Sequence, residues 1–291
     1  MRLLRSLPVL ALSLMSVAGC GIDDTGDSTP VTDTATEDDA SHCDSLESIE
    51  PGQYQQSHTH EGVEQAYWVV VPDGYSTRSA ADLYIVVPGG AGSAQVAMTG
   101  WRPGLIGLEA LVVFPQVARA ETKTVPMIRA LIDDVANQYC VDGSRVYATG
   151  SSSAAGFTAR LMAEASDVIA AFAPGIGKFG TVGLEPIGPV PFIAWSGDSD
   201  RAQVEDSVSE WTESNGCETV PVVSDLGSGV AHHHYEGCDA PSEYYFFEGM
   251  GHQIPVHDCS GVSPQYCAEY EEFDFWTDVG SFFDANPLSA S

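Results

Sequence analysis

The stretch Val146-Tyr147-Ala148-Thr149-Gly150-Ser151-Ser152-Ser153-Ala154-Ala155-Gly156-Phe157 constrains the fold more than any other part of the chain. Residues of strand character run directly into small ones and then into a helical start, so the backbone must reverse sharply between two packed elements. In a G-x-S-x-G turn the serine sits at the tip, and the residues two before and two after it must be small for strand and helix to approach. Only Ser152 fits, with Gly150 behind and Ala154 ahead. Ser151 would need Thr149 as its small residue, and Ser153 lacks a glycine at minus two. Alanine in place of the last glycine is a mild departure. Two readings stand at this point, a nucleophile elbow and a Gly/Ser-rich turn that opens a helix.

The segments around this turn alternate. Glu64 to Pro72 is β-rich and closes in Pro72-Asp73-Gly74-Tyr75, which has turn chemistry. Leu83-Tyr84-Ile85-Val86-Val87 and Leu111-Val112-Val113-Phe114-Pro115 are continuous apolar runs, the pattern of strands covered on both faces. Between Met127 and Tyr139, Ile128, Leu131, Ile132 and Val135 form one helical stripe, and Phe157 to Ala165 continues the helix after the turn. Val168 to Pro174 and Pro191 to Trp195 are further buried strands. A helix around Val204 to Ser214, an irregular segment from Cys217 to Cys238 and a strand Glu243 to Phe247 follow. Phe275, Trp276, Val279, Phe282 and Phe283 cover one face of a terminal helix, flanked by the solvated charges Glu269, Glu271, Glu272 and Asp274. The alternation predicts a doubly wound α/β fold in one domain, 51–291, with a mostly parallel sheet and helices on both faces.

The start of the chain reads differently. Arg2 and Arg5 precede an apolar run from Leu7 to Val17, too short for a permanent membrane span, which ends in Val17-Ala18-Gly19-Cys20. Residues 1–19 are read as a signal peptide. Val-Ala-Gly-Cys resembles a bacterial lipobox, which makes Cys20 the lipidated first residue of the mature chain; the alternative is an ordinary signal peptide cut nearby. Gly21, where an aspartate is absent, resembles lipoproteins sent on to an outer membrane. From Cys20 to Glu50 the sequence is acidic, Thr-rich and free of Lys and Arg, the composition of a disordered tether. His42, His58 and His60 lie in or near it and carry no argument.

The whole chain carries 11 Lys+Arg against 41 Asp+Glu, a formal charge of -30, which argues against nucleic acid or an anionic membrane surface as partner. Besides Cys20 there are six cysteines, Cys43, Cys140, Cys217, Cys238, Cys259 and Cys267; an even number in an exported chain points to disulfides. No C-x-x-C pair is present to suggest zinc.

A serine nucleophile needs a base and a carboxylate that orients it. In the chain order nucleophile, acid, base, Asp200 ends the buried strand after the turn, and His252 follows the next strand in a Gly-rich loop. Asp198 is a rival for the acid and His257 a rival for the base. The run His232-His233-His234 invites a metal reading, against which adjacent loop residues rarely converge on one ion; it is read as a solvated run, with no metal and no cofactor. Pro88-Gly89-Gly90-Ala91-Gly92-Ser93 follows a buried strand but lacks both G-x-G-x-x-G and G-K-[ST], leaving an oxyanion loop or a plain tight turn.

The sequence resembles the secreted serine esterases that include polyhydroxybutyrate depolymerases and feruloyl or acetylxylan esterases, of the α/β-hydrolase fold. The resemblance rests on Val87 to Ser93, Val113-Phe114-Pro115, Ile128 to Asp134, Tyr139 to Asp142 with Arg145-Val146-Tyr147, and the serine turn. It continues through Ser196 to Asp200, Trp211 with Asn215-Gly216-Cys217, and Glu248 to His252, and covers roughly Tyr67 to Phe283. It implies Ser152 as nucleophile, Asp200 as acid, His252 as base, and amides of Gly90 and Ser153 in an oxyanion hole. Cys217 and Cys238 match a cysteine pair typical of the family; Cys259 and Cys267 could close a short loop, which leaves Cys43 for Cys140. Three positions depart from the family: Pro88 for histidine, Ala154 for glycine, and Ser151 before the nucleophile. The expected function is an extracytoplasmic, lipid-anchored esterase acting on polyester oligomers or on feruloyl or acetyl esters of plant polysaccharide. The alternative is a catalytically weak surface lipoprotein that keeps the scaffold for binding.

Overall fold

The computed structural model describes residues 43–289 except 78, 91, 106–108 and 118–121. The expected signal peptide, Cys20 and the tether up to residue 42 lie outside the described residues. No helix among the described residues is long and apolar enough to cross a membrane.

Among the described residues twelve strands form, β1 (Gly52–His60), β2 (Val63–Val71), β3 (Ala81–Val87), β4 (Leu111–Pro115), β5 (Val141–Ser151), β6 (Ala171–Gly175), β7 (Phe192–Gly197), β8 (Val222–Asp225), β9 (Val230–Tyr235), β10 (Ser242–Phe247), β11 (Ile254–Val256) and β12 (Cys267–Glu269). The helices among the described residues are α1 (Ala94–Leu105), α2 (Val125–Gln138), α3 (Ala155–Glu164), α4 (Arg201–Ser214) and α5 (Phe275–Asp284). The main sheet runs β1-β2-β4-β3-β5-β6-β7-β10-β9-β8. Its centre, β4 to β10, is parallel throughout. Antiparallel strands extend it at both edges.

Side-chain alternation in the central strands builds two cores. Leu83, Ile85 and Val87 face a layer filled by Ile128, Leu131, Ile132 and Val135 of α2, Phe157 and Leu161 of α3, and Val204, Val208 and Trp211 of α4. Tyr84 and Val86 face the other, where Met98 and Trp101 of α1 meet Phe275, Trp276, Val279, Phe282 and Phe283 of α5. Strands this rich in apolar residues are stable between two such layers, and β4, β6 and β7 are buried along their whole length. The doubly wound α/β reading therefore stands. α2 begins where Thr124 accepts a hydrogen bond from the Met127 amide, with proline in the first turn, and its end delivers the chain into β5.

Four local expectations change. The sheet begins with β1, not at Glu64; Glu61 and Gly62, both at positive φ, form the two-residue turn of a β1–β2 hairpin. His58 consequently lies buried in a strand, its Nε2 2.8 Å from Gln65 Oε1. β6 starts at Ala171, because the amides of Val168 and Ile169 bond back to Ala165 O and close the end of α3. The Cys217–Cys238 segment is no irregular loop: it contains the β8–β9 hairpin, masked in the sequence because all four β8 residues are exposed and show no alternation. The short pair β11–β12 was likewise unforeseen, three residues being too few for a period.

Candidate active site

β5 ends at Ser151 in extended backbone, and Ser152 then turns to φ 57 before one 3-10 turn, Ser152–Ala154, leads into α3. A side chain in the left-handed region is strained by about 1–3 kcal/mol and persists where its surroundings over-determine it. They do so here. A Cβ at Gly150 would lie 2.3 Å from Thr158 Oγ1 and 3.3 Å from Ala154 Cβ, and one at Gly177 would lie 2.2 Å from Ser152 O. The Ala154 methyl, fully buried, is accommodated because Gly150 opposite it carries none.

Asp200 follows the turn after β7 and stands at the N-cap of α4, 5% exposed. Its Oδ1 accepts from Gln203 Nε2 at 2.6 Å, and its Oδ2 lies 2.8 Å from His252 Nδ1. A carboxylate only accepts, so Nδ1 carries the proton and Nε2 is left as the acceptor. Ser152 Oγ lies 2.8 Å from that Nε2 and donates to it. The three residues, 52 and 100 positions apart in sequence, thus form one continuous hydrogen-bonded line.

The rivals stand elsewhere. Asp198 Oδ2 accepts from the Gly249 amide at 2.9 Å, joining the turn after β7 to the loop that carries His252. His257 lies beyond β11, exposed. The three histidines sit in β9, not in a loop. His232 Nε2 is 2.9 Å from Glu243 Oε2 with its ring stacked on Tyr245, while His233 packs against Tyr244. No group of three or more His, Cys, Asp or Glu able to hold a metal ion occurs among the described residues.

Ser152 and His252 open into a cleft of about 400 Å³ whose other walls include Gly90, Val96, Trp101, Ile176, Ile254 and Tyr266. No Asp, Glu, Lys or Arg lines it among the described residues. A larger cleft of about 510 Å³, lined by Val70, Met98, Leu105 and Glu109, lies apart from this line of residues. Pro88 is tolerated because the loop after β3 is closed by the Gly92 amide on Gly89 O at 3.0 Å, a bond that needs no donor from residue 88. Gly90, at φ 56, borders the cleft, and the Ser153 amide lies in the first turn after β5, where helix amides have no partner within the helix. Lys123 Nζ donates to Ser153 O at 3.4 Å; burial lowers this ammonium from the usual lysine range. Gln203, Lys123 and Gln253 were not singled out in the sequence. Single polar residues that bond across loops leave no periodic signal, although Gln203, one helical turn after Asp200, has a spacing that could have been noticed.

The six cysteines pair as Cys43–Cys140, Cys217–Cys238 and Cys259–Cys267, the same three pairs named from the sequence.

No family model matches the chain. The poly(3-hydroxyalkanoate) depolymerase C of Paucimonas lemoignei is 30% identical over 172 residues, an alignment that covers 47% of this chain and 42% of the relative. The chain thus matches less than half of that protein's length. An acetyl xylan esterase from Aspergillus awamori superposes with a TM-score of 0.51 at 14% identity, covering 69% of this chain and 94% of the other. A poly(3-hydroxybutyrate) depolymerase from Bordetella parapertussis gives 0.50 at 14% identity, covering 70% and 85%. The resemblance read from the sequence is matched by these relatives, and the fold is that of the α/β-hydrolases.

Proposed function

We propose that this α/β-hydrolase chain is an extracytoplasmic serine esterase that cleaves carboxylic esters through an acyl-enzyme, with Ser152 as nucleophile, His252 as base and Asp200 as its orienting acid. The observation that carries the reading is the unbroken line from Asp200 to His252 to Ser152, at 2.8 Å for each bond, opening into a cleft that no charged side chain lines among the described residues. His252 Nε2 takes the Ser152 proton as Oγ attacks the ester carbonyl. Asp200 holds the imidazole in the tautomer this requires and stabilises the imidazolium. The amides of Gly90 and Ser153 receive the charge that develops on the carbonyl oxygen. The imidazolium then protonates the departing alcohol; water, deprotonated by the same histidine, releases the acid from Ser152. The relatives favour polyester oligomers or acyl esters of polysaccharide as substrates.

Incubation with p-nitrophenyl butyrate is expected to release p-nitrophenol at a rate unchanged by EDTA, and a fluorophosphonate is expected to add to the Ser152 peptide. Loss of activity in EDTA, or an adduct on another residue with Ser152 unmodified, overturns the mechanism.

Export is supported by the three disulfides, bonds that persist in oxidising compartments. We place the lipid anchor on Cys20, on the strength of Arg2, Arg5, the apolar run and Val17-Ala18-Gly19. Cys20→Ala is expected to move the protein from the membrane to the soluble fraction; fractionation like the parent's refutes the anchor.

A further inference from the structure

His252 is half exposed, and its described hydrogen bonds go only to Asp200 and Ser152, so the imidazole depends on its loop for position. That loop is fastened on its N-terminal side by Asp198 Oδ2 on the Gly249 amide, and by Met250, which packs against Gly197 so closely that a Cβ there would lie 2.2 Å from Met250 O. On the C-terminal side β11 is paired with β12 and Pro255 O accepts from Trp276 Nε1 at 2.7 Å, and the residue next to His252 adds a side-chain tie of its own. Gln253 Oε1 accepts from the Gly251 amide at 3.1 Å, while its Nε2 donates to Pro264 O at 2.6 Å and to Cys267 O at 3.1 Å. One amide orientation alone satisfies two carbonyls and an N–H together. Both carbonyls belong to the loop closed by Cys259–Cys267, and the Ile254 amide bonds to Tyr266 O in the same loop at 2.9 Å.

We infer that Gln253 is a positioning residue for His252, acting through the loop where Asp200 acts on the ring itself, and that the Cys259–Cys267 loop is the fixed body it is anchored to. The inference rests on the esterase reading above. Its consequence is that a disulfide remote from the reacting atoms sets the turnover number, by holding Nε2 within reach of Ser152 Oγ. It also places Tyr266, on the cleft wall, under the control of the same bridge.

The test compares the parent with Gln253→Ala, Gln253→Glu and the double variant Cys259→Ser/Cys267→Ser, all as full chains with p-nitrophenyl butyrate well below their melting temperatures. Gln253→Glu keeps the size and the acceptor for Gly251, and replaces the donor to Pro264 and Cys267 with a second oxygen. Loss of position near the reacting atoms costs on the order of 10- to 100-fold, so kcat is expected to fall by about that factor in each variant, with KM within about twofold. Combining Gln253→Ala with the cysteine variant is expected to add less than about threefold, because both break one connection. A Gln253→Glu variant with kcat within about threefold of the parent overturns the inference, as do losses that multiply in full. Ser152→Ala, assayed alongside, separates the two levels: activity retained there refutes the esterase reading itself, whatever Gln253 does.

Discussion

Ser152→Ala is expected to lower kcat for a p-nitrophenyl ester by roughly four to six orders of magnitude, and His252→Ala by a similar factor. The similarity follows from the geometry. Ser152 Oγ has no other base within hydrogen-bond reach among the described contacts, and His252 Nε2 has no other nucleophile, so removing either stops the same proton transfer. Asp200→Asn is expected to cost roughly 10⁴-fold, because an amide can present its N–H to Nδ1 and select the wrong tautomer. Ser151→Ala and Ser153→Ala are the register controls. Ser151 is buried at the end of β5, and the role proposed for Ser153 is that of its backbone amide, which alanine keeps, so each is expected to stay within about tenfold of the parent. Near-parental activity in Ser152→Ala, with loss in either neighbour, shows that the nucleophile is one residue away.

Replacing both Cys43 and Cys140 by serine is expected to cost about 4–5 kcal/mol of unfolding free energy, the largest loss among the three bridges. The two cysteines are 97 residues apart, against 21 for Cys217–Cys238 and 8 for Cys259–Cys267. In the chain-entropy model the cost follows the logarithm of the loop closed, so the other two removals are expected at about 3 and about 2–3 kcal/mol. Both sulfurs of the long bridge are in buried residues, and Cys140 is the last residue before β5. Guanidinium unfolding of the three paired variants tests the order. A Cys43/Cys140 variant less affected than the Cys259/Cys267 variant refutes it.

The sequence was most legible where burial is complete. Leu83 to Val87 and Leu111 to Phe114 must lie between two layers, and Gly150, Ser152 and Ala154 must meet at a tight reversal, so strand, turn and helix follow from local composition. Legibility failed at the edges. β1 is rich in Gln and His, β8 is wholly exposed, and neither shows the apolar period by which a strand is read. Asp200 and Asp198 both fit the chain order, and only the fold separates their partners, His252 for one and the Gly249 amide for the other. Gln203 bonds to Asp200, and Gln253 bonds to Gly251, Pro264 and Cys267; such cross-loop bonds have no signature in one dimension.

The Cys43–Cys140 bridge also decides how a mechanical load would enter the domain. β1 is an outer strand, the kind that peels away one hydrogen bond at a time when its free end is pulled. A force applied to the chain ahead of residue 43 reaches the sulfur bridge before it reaches β1, and passes through it to Cys140 at the head of β5, in the middle of the sheet. Traction on the amino terminus is therefore borne by a covalent bond into the strand that leads to Ser152, and the outer hairpin is left slack.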